Sequence, residues 1–265
     1  MKVLIKLGGT LLDSAELRAS LAAQIAAVER QGIAVTVVHG GGKQMTRFLE
    51  ERGVSSHFVN GLRVTTPETM DAVLKVLAGS VNQELVTALI AAGARAVGLT
   101  GIDGGLVEAE QMDPALGMVG RVVRANPELL DLLVGHGFLP VVACVAGARD
   151  GRMYNVNADQ MASACAAGWS ANRLIFLTDI EGVLDASKRV QPTLTAEDCE
   201  RLIRESVATG GMQAKLNAAV AAIEHGVDQV EIAPGAAPNV LGRLFADETM
   251  GTRIVRARER VVCHD

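Results

Sequence analysis

This 265-residue sequence is poor in aromatic side chains: Phe, Trp and Tyr make up 3% of it, with one Trp (Trp169) and one Tyr (Tyr154). Binding of single-stranded nucleic acid, which relies on rings that stack on bases, is therefore not expected. A basic surplus is missing as well. Lys and Arg number 25 against 30 Asp and Glu, a formal net charge of −5, which argues against a surface that neutralises duplex phosphates. The four cysteines (Cys144, Cys165, Cys199, Cys263) show no C-x-x-C spacing, which fits neither a zinc site nor a disulfide scaffold and suits a reducing compartment. Nor does any His, Cys, Asp or Glu cluster have metal-ligand spacing, so no protein-held metal is expected. No stretch reaches the ~18–20 apolar residues of a membrane span. Lys6 and Gly8-Gly9 cut the first apolar run too short for a signal peptide. The expectation is a soluble, cytoplasmic protein with no nucleic-acid or membrane partner.

What is present is a large apolar fraction, 49% against 21% charged, on a chain longer than the ~100–150 residues of a typical domain. One large or two intimate domains with a sizeable core follow. Short apolar runs that end in glycine alternate with helical patterns, the signature of α/β architecture. Val3–Leu7 and Ile33–Val38 read as buried strands that end in Gly8-Gly9 and His39-Gly40-Gly41-Gly42. Asp13 and Glu16 have capping-box spacing ahead of a helix. Asn60-Gly61 between β-favouring flanks predicts a tight hairpin over 57–65. Thr66-Pro67-Glu68 starts a helix that continues to about Ala92, with a break or kink expected at Gly79-Ser80 and Ser80 and Gln83 recapping its second half. Further strands are predicted over 95–99, 106–110, 118–123, 139–144, 173–178, 228–232 and 252–255. A lobe boundary is expected near Gly168–Asn172, giving an N-terminal lobe of residues 1–170 and a C-terminal lobe of 171–265.

Both glycine clusters end a strand and precede a helix, where the bare backbone approaches a ligand closely and helix N–H groups favour anions. Neither matches a P-loop or the dinucleotide fingerprint. Lys6 lies inside an apolar strand, where lysine is seldom buried without a partner; the plain alternative is an edge-strand lysine with its ammonium in water. Lys215 follows Gly210-Gly211-Met212 in the first turns of a helix, a position the macrodipole opposes, and its plain alternative is a solvated lysine. Asn155, Asn157 and Asp159 crowd a loop-to-helix junction, where Asn157 caps the helix. Arg63 follows the hairpin turn and has the fork to grip a carboxylate. His39 is the best-placed histidine, with a structural role at the strand end favoured over catalysis. This inventory describes an anion-handling α/β enzyme with two separated lysines, which suits phosphoryl transfer.

The motifs Lys6-Leu7-Gly8-Gly9, Val38-His39-Gly40-Gly41-Gly42, Asn60-Gly61-Leu62-Arg63-Val64-Thr65, Asn155-Val156-Asn157-Ala158-Asp159, Thr178-Asp179-Ile180-Glu181-Gly182-Val183-Leu184 and Gly210-Gly211-Met212-Gln213-Ala214-Lys215 follow one another across nearly the whole chain. In that order they resemble the acetylglutamate kinases of the amino acid kinase superfamily. The resemblance implies a three-layer αβα sandwich with a mostly parallel central sheet and two lobes, the first binding N-acetyl-L-glutamate and forming a homodimer, the second binding ATP. By motif match, Gly41, Gly42, Arg63 and Asn155 hold the acyl amino acid. Lys6 and Lys215 stabilise the transferred phosphoryl group, and Asp159 orients both lysines. Gly8 and Gly9 contact the phosphates, while Asp179, Ile180, Glu181, Gly182, Val183 and Leu184, with Val207, Ala208 and Thr209, line the nucleotide. Mg²⁺ arrives with ATP. The implied product is N-acetylglutamyl 5-phosphate, a step towards arginine.

Departures from the family pattern fall at Ile102, at Arg121 and at Val145-Ala146-Gly147, none of them in these motifs. The rival readings are a kinase for carrier-protein-bound aminoadipate or glutamate and a non-catalytic amino-acid sensor. Because strand one begins at about Lys2, the helix that precedes it in arginine-inhibited relatives is not expected here, which predicts a dimer insensitive to arginine.

Overall fold

The computed structural model describes residues 1–256, so Cys263 and the end of the expected C-terminal lobe lie outside the described residues. Among the described residues there are fourteen strands: β1 Lys2–Leu7, β2 Ala34–His39, β3 Phe58–Val59, β4 Leu62–Arg63, β5 Ala96–Thr100, β6 Val107–Gln111, β7 Gly120–Ala125, β8 Leu139–Ala143, β9 Val145–Gly147, β10 Met153–Asn155, β11 Arg173–Thr178, β12 Thr193–Thr195, β13 Gln229–Pro234 and β14 Thr252–Val255. The α-helices are α1 Ala15–Glu29, α2 Gly42–Glu50, α3 Pro67–Val73, α4 Asn82–Ala91, α5 Glu128–Gly135, α6 Ala158–Gly168, α7 Ala196–Arg204, α8 Gly210–Glu224 and α9 Val240–Phe245.

Eight strands form the central sheet in the order β12-β14-β13-β11-β1-β2-β8-β5, parallel except where β14 meets β13. A second sheet runs β10-β9-β6-β7, and β3 with β4 forms the expected hairpin. Asn60 and Gly61 both take positive φ (49° and 79°), as a two-residue turn that matches strand twist requires. The predicted α/β sandwich is thus observed.

Alternation along the strands separates two cores. Val3, Ile5 and Leu7 of β1, with Ile175 and Leu177 of β11, pack under α1, α3 and α4. Leu4 of β1, with Leu174 and Phe176 of β11, packs under α6 and α8. Lys6 follows Leu4 by two residues and registers beside Phe176, so it faces the second core at the carboxyl ends of the strands. β1 lies between β11 and β2, which rules out an edge-strand lysine. The helices above that face are rich in alanine, with Ala162, Ala166, Ala218 and Ala222 all buried. Small side chains allow α6 and α8 to sit close together over the sheet.

Several local expectations are corrected. Ser14, not Asp13, caps α1: its hydroxyl accepts from the Leu17 N–H at 3.1 Å, while Asp13 pairs with Arg47. No break occurs at Gly79-Ser80. A π-helical segment, Leu74–Val81, joins α3 to α4, and Ser80 donates to the Lys75 carbonyl instead of recapping. The wider π turn absorbs an extra residue without ending the helix. Pro67–Ala91 is therefore one 25-residue helix, long and apolar enough by length and composition to cross a membrane. It is also a helix of the first core, contributing Met70, Val73, Leu77, Leu85 and Leu89. The strand expected over 118–123 begins two residues later as β7, and β9, β10 and β12 were not anticipated.

Candidate active site

Two glycine turns meet where β1 and β2 end. A methyl group in place of a Gly9 hydrogen would lie 2.9 Å from the Gly42 nitrogen and 3.0 Å from the Gly41 nitrogen, so only glycine allows the turns to touch. Gln44, from the first turn of α2, donates to the Gly9 carbonyl at 3.2 Å and ties them together. Beside this cradle, α6 starts at Asn157, whose Oδ1 accepts from the backbone of Asp159 (2.9 Å) and Gln160 (3.2 Å). That cap points the Asp159 side chain at the ends of the strands.

Asp159 is the centre of the site. Its Oδ1 lies 2.6 Å from the Lys6 Nζ and its Oδ2 2.9 Å from the Lys215 Nζ, with all three side chains buried. Residues 6, 159 and 215, singled out separately in the sequence, thus form one charge cluster from β1, α6 and α8, and Lys215 is no solvated lysine. Its ammonium also stands 5.1 Å from the Phe176 ring centroid. Burial raises the pKa of Asp159, but the attraction of Lys6 and Lys215 outweighs it and holds the carboxyl below its ordinary value. For Lys215, burial and the repulsion of Lys6 win over Asp159, and its pKa is lowered. The cluster is a pair of ammonium groups, from Lys6 near one end of the chain and Lys215 near the other, locked by one carboxylate.

A cavity of about 190 Å³ opens beside it, lined by Gly41, Gly42, Arg63, Asn155, Leu77 and Cys144 among others. It has room for a small molecule but not for a nucleotide. Arg63 reaches across it. The guanidinium donates to the Gly42 carbonyl (3.1 Å), the Thr46 hydroxyl (2.8 Å) and the Ser56 hydroxyl, and stacks 4.6 Å from the Phe58 centroid. Its pKa is lowered by burial. Asn155 donates to the Thr65 hydroxyl at 3.1 Å, which fixes its amide at the other wall.

The segment 179–184 forms the turn after β11. Asp179 and Glu181 are exposed, Val183 is buried, and the Asp179 charge acts on Lys215. Gly182 has φ 149°, and the Val183 N–H donates to the Thr252 hydroxyl at 2.8 Å. Val207, Ala208 and Thr209 lead into α8, with Thr209 at its N-cap position. Gly8 donates through its N–H to the Leu177 carbonyl, so that donor is already used within the sheet. Of the departures from the family pattern, Ile102 is exposed, Arg121 pairs with Glu110, and 145–147 is strand β9, with Val145 registered opposite Asn155. A larger cavity, about 1020 Å³, lies along α6, α8 and β7 and includes neither lysine. Burial has pushed the Cys144, Cys165 and Cys199 thiols up to about 12, so none is a ready nucleophile.

Residues 1–234 match the family model described as the amino acid kinase family. The chain is 66% identical over 257 residues to an acetylglutamate kinase of Solibacter usitatus, covering 97% of this chain and 100% of that protein. The chain belongs to the acetylglutamate kinase family. An acetylglutamate kinase of Methylobacterium nodulans is 42% identical, with 96% of this chain and 88% of the relative covered. Among solved structures, a Streptococcus mutans protein superposes with a TM-score of 0.84 at 28% identity, covering 97% of this chain and 99% of that one. The N-acetylglutamate synthase of Neisseria gonorrhoeae, in complex with coenzyme A and N-acetyl-glutamate, shares the fold at a TM-score of 0.86 and 24% identity. The acetylglutamate kinase family chain covers 60% of that synthase with 97% of its own length.

Proposed function

We propose that the protein transfers the γ-phosphoryl group of ATP to the side-chain carboxylate of N-acetyl-L-glutamate, releasing ADP and N-acetylglutamyl 5-phosphate on the route to arginine. The observation that carries this reading is the Lys6–Asp159–Lys215 cluster, set between a glycine cradle and a small-molecule cavity. In the cavity, Arg63 and Asn155 together with the backbone of Gly41 and Gly42 bind the acyl amino acid. The nucleotide lies over 179–184 and 207–209, with its phosphates at Gly8 and Gly9. Residues 1–170 then form the acyl amino acid lobe and 171–265 the nucleotide lobe.

No general base is required. A carboxylate with a pKa near ~4.3 is already an anionic nucleophile at neutral pH. One of its oxygens bonds to the γ-phosphorus as the bond from phosphorus to the β–γ bridging oxygen breaks, and ADP leaves with that electron pair. The obstacle is bringing one anion onto another. Lys6 and Lys215 place positive charge where the transferred group's oxygens gather it, and Asp159 holds the two ammonium groups so that neither must reorganise. Asp159 already balances the charges of two lysines, and this donor set fits a Mg²⁺ that would be held by the nucleotide phosphates, where it would neutralise charge on the leaving group.

A homodimer formed through the N-terminal lobe is part of the same proposal. Only 44% of the most apolar window of the helix Pro67–Ala91 is buried within one chain, and Ile90 on it is 55% exposed, leaving an apolar face for a second copy to cover. The reaction is tested by hydroxamate formation with ATP and N-acetylglutamate, glutamate or N-acetylaminoadipate as acceptor. N-acetylglutamate should be preferred; a preference for the aminoadipate derivative would refute the assignment of acceptor.

A further inference from the structure

His39 closes β2, is wholly buried, and has no part in the chemistry described above. Its ring is held at both nitrogens. Nδ1 lies 2.9 Å from the Gly40 carbonyl oxygen, and Nε2 lies 3.0 Å from the Asn82 Nδ2. The same Asn82 nitrogen is 3.0 Å from the Val141 carbonyl oxygen. A carbonyl only accepts, so the Asn82 atom facing Val141 must be the NH₂ group, and that group has only hydrogens to offer His39. His39 Nε2 is therefore the unprotonated acceptor. The proton of a neutral imidazole then sits on Nδ1, which donates to the Gly40 carbonyl. Burial agrees with a neutral ring, since it pushes the His39 pKa down to about 4.

The consequence reaches the cradle through one peptide plane. In a trans peptide the C=O of one residue and the N–H of the next point in opposite directions. Anchoring the Gly40 oxygen on the His39 side turns the Gly41 N–H the other way. The Gly41 nitrogen borders the contact with Gly9, and its N–H has no acceptor among the described residues. We propose that His39, with its tautomer set by Asn82, is a positioning residue that aims the Gly41 N–H at the phosphoryl-transfer site; this rests on the kinase reading above. Without the anchor the Gly40–Gly41 plane is free to rotate, and glycine imposes little resistance to such a flip. Two features of the fold serve the arrangement. The π segment Leu74–Val81 ends immediately before Asn82, and a methyl group at Gly98 on β5 would lie only 2.1 Å from the Asn82 Oδ1, so Gly98 makes room for the amide.

Two measurements test this. In protein labelled with ¹⁵N-histidine, the ring spectrum of His39, assigned by its loss in the His39→Gln variant, should show a neutral Nδ1–H tautomer in the wild type. Asn82→Ala should weaken that preference. An Nε2–H tautomer in the wild type would overturn the proposal without any variant having to fold. In kinetics, His39→Gln retains an acceptor near the position of Nε2 but loses the donor to Gly40, whereas His39→Asn keeps a donor near the position of Nδ1. Loss of a whole transition-state donor lowers kcat by about 10²–10³-fold. A misaimed donor should cost His39→Gln at least about tenfold in kcat, with KM for ATP moving far less, and His39→Asn should recover most of the loss. Parallel losses of stability and activity in both variants would mean that the ring only fills space, and a folded His39→Gln with wild-type kcat would equally sink the idea. Failure of the kinase reading looks different: the wild type itself would make no acyl phosphate, whatever tautomer the spectrum shows.

Discussion

Replacing Asp159 by asparagine removes the one carboxylate that two buried lysines share. Lys6 of β1 and Lys215 of α8 would then face each other with no counter-charge, where the carboxylate now sits 2.6 and 2.9 Å from them. Breaking a buried ionic group by deleting one member typically costs about 3–5 kcal/mol. The amide oxygen can still accept from one lysine, which pulls the figure down; two orphaned ammonium groups instead of one push it up. Against a total stability of about 5–15 kcal/mol the loss should be plain in urea unfolding, followed by the fluorescence of the buried Trp169. A second change separates charge from packing. Lys215 is the lysine whose charge the site already disfavours, so Lys215→Met added to Asp159→Asn should restore part of the lost stability while lowering kcat further. The pH dependence follows from the sign of the shift. Because the folded pKa of Asp159 lies below its ordinary 3.8, the ion cluster stabilises the fold fully above that value, and the contribution disappears as pH falls through the lowered pKa. Asp159→Asn should lack this acid-side loss. An Asp159→Asn protein as stable as the wild type, or a double variant no more stable than the single one, would refute the reasoning.

Lys6→Ala and Lys215→Ala should each lower kcat by about 10²–10³-fold with little change in KM for the acceptor, since both charges act on the transition state; near-normal kcat in steady-state assays would remove that lysine from the role. Arg63→Ala and Asn155→Ala should act through KM for N-acetylglutamate and leave KM for ATP unchanged, and Arg63→Lys should not rescue, because the fork that serves Gly42, Thr46 and Ser56 together is lost. A matching loss of ATP affinity would put both residues on the wrong ligand. Light scattering should give twice the chain mass of 27.7 kDa, and Ile90→Asp should lower it towards that of one chain; a monomeric wild type would refute the dimer.

The sequence made the architecture legible because strand and helix patterns are written locally. Apolar runs such as Val3–Leu7 end in glycine, and Thr66-Pro67 marks a helix start through a hydrogen bond between near neighbours. What stayed hidden depends on distant contacts. Lys6 and Lys215 each carried a bland alternative when taken singly, and motif order linked them to Asp159 without showing why the three meet; only the register of β1 with β11 and the packing of α6 on α8 places them together. Asn82 gave no signal at all. In sequence it is a polar residue in an apolar helix, and its partners, His39 and Val141, lie 43 and 59 residues away. The absence of the break expected at Gly79-Ser80 has the same origin. Glycine and serine weaken a helix locally, but Leu77 and Val81 pack into the first core on both sides of them and hold the chain helical.

Net charge proved a weaker guide than the placement of donors. A chain with a formal charge of −5 offers no long-range attraction to ATP or to an acidic amino acid, so affinity for anions must be built where they bind. The helices α2, α6 and α8 all begin around the ends of β1 and β2, and the first turns of α2 and α8 carry no acidic residue that would compete for their N–H groups. Asp159, in the first turn of α6, is the exception, and it is the residue that binds both lysines. Positive potential from helix ends and glycine N–H groups needs no titratable group and falls off within a turn of helix. Confining the field in this way lets a protein of acidic surface handle two anions at once, because the donors act only on groups that have already entered the site.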